Sequence, residues 1–224
     1  MVKKCFSGFL FDLDGTLVDT TELITQSFRH ASREVFGELL PDEKLMANVG
    51  QPLMKQMELL GGDPETARRL YEVYRIYNHA RHDEFTRPFP GVEELLMELK
   101  KRGARMAIVT SKSRDTVDMA FRCVPIEPFF DTVISTDDTD LHKPDPQPLL
   151  LAMRRLDVTP DESVFIGDSP FDIRAGQAAG VMTAAVGWGI FPVVRLKELE
   201  PDFFFDSPDQ ILSLCPDDGG SLKS

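Results

Sequence analysis

The stretch FDLDGTLVDT, residues 11–20, decides how the rest of the chain is read. It begins where a short apolar run, FSGFLF at 6–11, meets two acids spaced two apart and a Gly-Thr pair. A short continuous apolar run bounded by a turn signal is the pattern of a strand buried on both faces. In open α/β sheets, ligands bind at the carboxyl ends of such strands. An aspartate there can attack phosphorus and form a covalent intermediate. Asp12 is the candidate nucleophile. Asp14 is the candidate proton donor to a leaving oxygen and, in a second step, the activator of water. Gly15 permits the tight turn that aims both acids inward. The competing reading is an acidic turn capping a helix at Thr16 or Asp19.

Four further runs share this character: MAIVT at 106–110, TVIST at 132–136, SVFIG at 163–167 and MTAAVG at 182–187. Helix-period segments lie beside them. VEELLMELKKRG at 92–103 places Val92, Leu95, Leu96 and Leu99 on one stripe and ends on a basic C-terminal signal. PLLLAMRRL at 148–156 and FDIRAGQAAG at 171–180 read similarly. Apolar strands alternating with helices predict an α/β protein whose parallel sheet is covered on both faces. From 20 to 87 the rhythm changes. Leu23, Ile24, Phe28, Ala31 and Val35, then Leu70, Val73, Tyr74 and Tyr77, show helical periods without a strand run. The expectation is a core of residues 1–19 and 88–224 with an all-helical insert over 20–87. RPFPGV at 87–92 returns the chain to the core, and the polar tail at 216–224 is expected to fray.

Three more strand ends carry polar groups. Thr110 and Ser111 close the MAIVT run, where hydroxyls and backbone N–H groups can cradle phosphate oxygens. They can equally cap the helix starting near Arg114. Lys143, in the proline-fixed HKPDP, can neutralise a phosphoryl group and an aspartate, unless it is simply exposed. Asp168 and Asp172 follow the SVFIG run, and hard carboxylate oxygens suit magnesium. Asp172 also fits a first-turn helix acid. Together these groups make a kit for metal-assisted phosphoryl transfer.

Bulk properties narrow the partners. A net charge of −12 argues against nucleic-acid binding, which needs clustered Lys and Arg. No apolar run approaches the ~18 residues of a membrane span. MVKKCFSGFLFDLD ends in acids and is read as the first strand, not a leader. Cys5, Cys123 and Cys215 are an odd number, lie far apart and make neither a metal-ligand spacing nor a disulfide framework, so a reducing cytoplasmic setting is expected. The sequence does not choose between monomer and homodimer.

The chain resembles the haloacid-dehalogenase superfamily, in its phosphoglycolate-phosphatase-like branch with a helical cap. The motifs fall in family order: Asp12-Leu13-Asp14-Gly15-Thr16, Thr110-Ser111, Lys143-Pro144, then Gly167-Asp168 with Asp172. The resemblance implies a Rossmann-like doubly wound core with its first strand central, and a mobile cap. It implies a phosphatase acting on a small phosphorylated metabolite through an aspartyl-phosphate. It also implies Mg2+ held by the Asp12 carboxylate, the Asp14 backbone carbonyl and Asp168, with Asp172 binding through water or orienting its neighbours. Asp14 separates the chain from haloacid dehalogenases, which lack this acid. Lys44 and Lys55 keep open a resemblance to phosphonoacetaldehyde hydrolases, which use a cap lysine. Gly50 is followed by Gln51-Pro52-Leu53, unlike the Ser-Arg pair typical of β-phosphoglucomutases and more like phosphoglycolate phosphatases and related pyrophosphatases. An inactive binding module is the remaining alternative. Cap residues Arg29, Arg33, Lys55, Arg75, His79 and Arg81 are candidates for contact with a substrate anion.

Overall fold

The computed structural model describes residues 5–215; the expected frayed tail at 216–224 lies outside them. Strand β1 (Gly8–Phe11) is central in a six-stranded sheet that also contains β4 (Arg105–Val109), β5 (Thr132–Ile134), β6 (Ser163–Gly167), β7 (Met182–Val186) and β8 (Phe203–Phe205). The order is β5-β4-β1-β6-β7-β8, and every pairing is parallel. The register sets Phe11 beside Ile108 and Ile166, so the ends of β1, β4 and β6 lie level.

Both faces of this sheet are dry, which is why its strands read as continuous apolar runs. Phe9 and Phe11 point to one face with Met106, Ile108, Val164 and Ile166. There they meet α5 (Val92–Lys101) and α6 (Arg114–Cys123). Leu10 points the other way with Ala107, Val109 and Phe165, against α7 (Gln147–Leu156) and α8 (Pro170–Ala179). The stripe predicted from Val92, Leu95, Leu96 and Leu99 is the buried face of α5.

Between β1 and α5 the chain forms α1 (Thr21–Phe36), α2 (Asp42–Met46), α3 (Leu53–Gly61) and α4 (Pro64–Phe85). Helix α4 starts where Asp63 accepts hydrogen bonds from the N–H groups of Glu65 and Thr66, with Pro64 in the first turn. Ile24, Phe28, Met57, Leu70 and Tyr74 pack together, and the same cluster takes in Ile173, Ala185 and Phe191.

Short strands escape the sequence reading. β2 (Val18–Asp19) and β3 (Arg87–Pro88) pair antiparallel where the chain leaves and re-enters the main sheet. β3 thus places strand structure at the margin of the stretch read as purely helical. Two residues per strand are too few for any period to register. β8 escapes for a similar reason. Helix α9 (Val193–Lys197) precedes it. Among the described residues no helix is long and apolar enough to cross a membrane.

Candidate active site

The level ends of β1, β4 and β6 bring the sequence-selected residues to one place. Asp12 leaves β1 with its N–H bonded to Ile166 O at 2.9 Å, so the neighbouring strand fixes its backbone. Its side chain is buried, and Oδ1 accepts from Lys143 Nζ at 2.9 Å. Lys143 is buried too. Its ammonium also donates to Asp172 Oδ1 at 2.7 Å and to Val109 O at 3.2 Å, so all three protons have acceptors. The exposed-lysine alternative is therefore set aside.

Asp172 is a first-turn helix acid that also contacts Lys143. It sits in the first turn of α8 in a capping box with Ser169. Its Oδ2 accepts from Ser169 N at 3.0 Å and Ser169 Oγ at 2.6 Å, while Oδ1 faces Lys143. Asp168 is buried one residue past β6. Its Oδ2 accepts from Ile190 N at 2.7 Å, and the Thr16 hydroxyl lies 3.5 Å from Oδ1. Backbone approaches Asp168 closely: a Cβ on Gly15, whose φ is +78°, would collide with its carboxylate.

Asp14 stands apart from this buried knot. Its Oδ1 accepts from Thr20 Oγ1 at 2.6 Å and pairs with Lys112 Nζ at 2.8 Å. Sequence reasoning passes over Lys112, although it directly follows Thr110-Ser111. Thr110 is buried at the end of β4, with its N–H on Ile134 O. The Ser111 hydroxyl donates to Gly50 O at 2.6 Å, linking the end of β4 to the loop before α3.

Burial pushes the Asp12 carboxyl up to about 7, with Asp172 and Asp14 adding to the rise and Lys143 opposing it. Burial, then Asp12 and Asp172, also raises Asp168 well above the ordinary carboxylate range. Burial alone would depress the Lys143 ammonium, but the two carboxylates outweigh it and raise its pKa. Oxygens of Asp12, Asp168 and Asp172 lie within 4.8 Å of one another. Three carboxylates against one ammonium leave a formal excess of two negative charges. A hard divalent cation on oxygen donors fits that set.

Above these groups lies a cavity of about 220 Å³, lined by Asp12, Asp14, Thr110, Ser111 and Asp168 and by residues of the helical stretch. Of the cap candidates, Arg75 and His79 line it, joined by Gln51, Gln56 and Asn78. Burial, then Arg75, holds His79 below its ordinary value. Arg29 pairs instead with Asp42, Lys55 with Glu58 and Arg81 with Glu84. Arg33 is exposed on α1, and neither Lys44 nor Lys55 is among the lining residues.

Comparison with known proteins agrees with this geometry. Residues 9–186 match the haloacid dehalogenase-like hydrolase family. The pyrophosphatase PpaX of Bacillus velezensis is 39% identical over 214 residues, 96% of this chain and 98% of that protein. PpaX of Anoxybacillus flavithermus is 37% identical, over 92% of this chain and 94% of its own. A structure from Bacteroides fragilis, provisionally described as a haloacid dehalogenase-like hydrolase, superposes with a TM-score of 0.84 at 29% identity, covering 92% of this chain and 99% of that one. One from Lactobacillus plantarum, provisionally described as a phosphoglycolate phosphatase, gives 0.83 at 28%, covering 94% and 99%. A central parallel strand ending on Asp12, its partners at the neighbouring strand ends, and a family match over most of the length agree: the chain belongs to the haloacid dehalogenase-like hydrolases, within their phosphatase branch.

Proposed function

We propose that the protein is a magnesium-dependent phosphatase that transfers a phosphoryl group from a small metabolite to Asp12 and then to water. The observation that carries this reading is the placement of Asp12. It is buried beside a fixed ammonium, faces the cavity, and is two residues from a carboxylate bonded to Thr20 and Lys112. In the first step an Asp12 oxygen forms a bond to phosphorus as the ester oxygen leaves, and Asp14 gives that oxygen its proton. In the second step Asp14 takes a proton from water, whose oxygen displaces Asp12 and releases phosphate. Thr110 and Ser111 are assigned to the phosphoryl oxygens, Ser111 exchanging its Gly50 bond for the substrate. Lys143 holds Asp12 and offsets charge, and Asp172 orients Lys143. Asp12, the Asp14 backbone carbonyl and Asp168 are assigned to magnesium, which would supply charge neutralisation on the transferring group.

Residues 20–87 are assigned to a cap that closes over the cavity and excludes water. The Ser111–Gly50 bond and the Arg75–Asp115 ion pair at 2.5 Å support that assignment, since each joins this stretch to the strand-end region. A cavity of about 220 Å³ suits a small substrate, being below the roughly 300–1,000 Å³ of pockets for larger ligands. A phosphorylated small acid such as phosphoglycolate fits that size. Inorganic pyrophosphate is the second reading. It is favoured by the PpaX relatives and by Lys112, Arg75 and His79 around the cavity. Three cysteines scattered along the chain suit a reducing compartment such as the cytosol.

The test is phosphate release from phosphoglycolate, pyrophosphate and hexose phosphates with magnesium or with chelator. Magnesium-dependent release from one of the first two is expected. Isomerisation of a hexose phosphate faster than phosphate release, or no turnover of any substrate, overturns the reading.

A further inference from the structure

A second constellation of chemically able side chains lies outside the active site and has no part in the chemistry above. His82 and Asp83 are in the last turn of α4, and Cys123 is the last residue of α6. His82 Nδ1 is 3.3 Å from Asp83 Oδ1 and 3.8 Å from Cys123 Sγ, and Cys123 Sγ is 3.3 Å from the same carboxylate oxygen. Tetrahedral zinc, with bonds of about 2.3 Å to sulfur and about 2.0–2.2 Å to nitrogen and oxygen, separates such donors by roughly 3.3–3.6 Å. The three atoms already stand near that spacing. Imidazole, carboxylate and thiol together suit a borderline-soft cation rather than magnesium.

The surroundings point the same way. Two helices end here, and the partial negative charge of each C-terminus favours a cation. The His82 ring is buried, and its Nδ1 faces both Asp83 and Cys123. Asp83 is 81% exposed and leaves a path for an ion and a water. Arg87 is already drawn to the end of α4, but it bonds the backbone oxygens of Asp83 and Thr86, not the three donor atoms.

We propose that His82 Nδ1, Asp83 and Cys123 form a three-residue site for a divalent cation of the zinc class, with a fourth position open to water. Binding forms a metal–sulfur bond and releases the Cys123 thiol proton to solvent, with no change of oxidation state. The site joins the end of α4, next to β3, to α6 of the core. A bound ion would therefore tie the helical stretch to the sheet domain beside the point where the chain crosses between them.

Cobalt(II) is the probe, since a thiolate–cobalt bond gives a near-ultraviolet charge-transfer band. The titration uses full-length protein carrying Cys5→Ser, in saturating magnesium, because Cys5 is exposed. A stoichiometric band that zinc displaces is expected. Adding Cys123→Ser should abolish it while magnesium-dependent hydrolysis of p-nitrophenyl phosphate stays unchanged. Asp83→Asn, at an exposed position, should weaken cobalt binding by about tenfold or more, the loss typical even for an outer partner. No band in the Cys5→Ser protein, or a band that survives Cys123→Ser, overturns the proposal. If Cys123→Ser does not fold, unchanged cobalt affinity in Asp83→Asn overturns it alone.

Discussion

Lys143 is the residue on which the buried charges of the site depend. It touches two carboxylates and one carbonyl, and both acids are buried. Removing one partner of a buried ion pair typically costs about 3–5 kcal/mol, because the other charge stays behind. Lys143→Met should therefore lower stability by about that amount in urea denaturation without metal, as well as stopping turnover. A change below about 1 kcal/mol, the range of a surface pair, would contradict the buried arrangement. Asp14 is tested differently, since it should move protons and not hold the fold together. Loss of such a group costs about 10²–10⁴-fold in rate. With p-nitrophenyl phosphate the leaving group needs little acid help, whereas attack by water still needs the base. Asp14→Ala should then accumulate a phosphoryl adduct on Asp12, seen by rapid quench and intact mass, and Asp12→Asn should show none. An equal loss in both steps would separate Asp14 from the role of base.

At the scale of elements, one capping box both caps a helix and positions the partner of Lys143. Ser169 caps α8 and at the same time holds Asp172 Oδ2, which leaves Oδ1 aimed at Lys143. Ser169→Ala should cost about 1 kcal/mol, or roughly 2–4 °C in Tm for a chain of this size. It should also reduce kcat more than KM, because Lys143 loses a fixed partner. Retained kcat with the Tm loss would leave Ser169 a helix cap only. The elements also differ in how plainly their sequences announce them. β1, β4, β6 and β7 read as strands because both faces of each are buried, and α5 reads as a helix because only one stripe is. The two residues each of β2 and β3 carry no period, and β8 is three phenylalanines in a polar setting, so none is legible by pattern. The acids at the strand ends are legible because a charge terminating a buried run is costly without a purpose. Lys112 is not, since its pairing with Asp14 depends on how two loops approach in space. The residues of the 20–87 stretch that face the cavity are illegible for the same reason. Arg75 and His79 face inward while Arg29 and Arg81 pair elsewhere, and their helical spacing alone does not separate them.

For the whole molecule, the excess of buried negative charge couples folding to protons and, under the proposed function, to magnesium. The Asp12 carboxyl is held at about 7, chiefly by burial, against about 3.9 in an unfolded chain. Asp168 is raised in the same direction. A carboxyl raised by folding is protonated in the native state while already ionised in the unfolded one. Native protein therefore binds more protons between about pH 4 and pH 7, and its stability falls as pH rises through that window. The net charge of −12 adds a general repulsion that also grows with pH, so the slope alone does not isolate the site. Magnesium at the proposed site would isolate it, because an ion held there needs the ionised carboxylates and competes with the protons. The rise in Tm on adding magnesium should be small at pH 5 and should grow steadily towards pH 8. Asp168→Asn removes one of the carboxylates and should flatten this growth while leaving the background slope from net charge in place. Melting curves in chelator and in saturating magnesium, taken across that pH range for both proteins, make the comparison. A magnesium shift that is constant with pH, or as steep in Asp168→Asn as in the parent, would mean that the ion binds away from the buried acids and that their raised pKa values have no part in holding it.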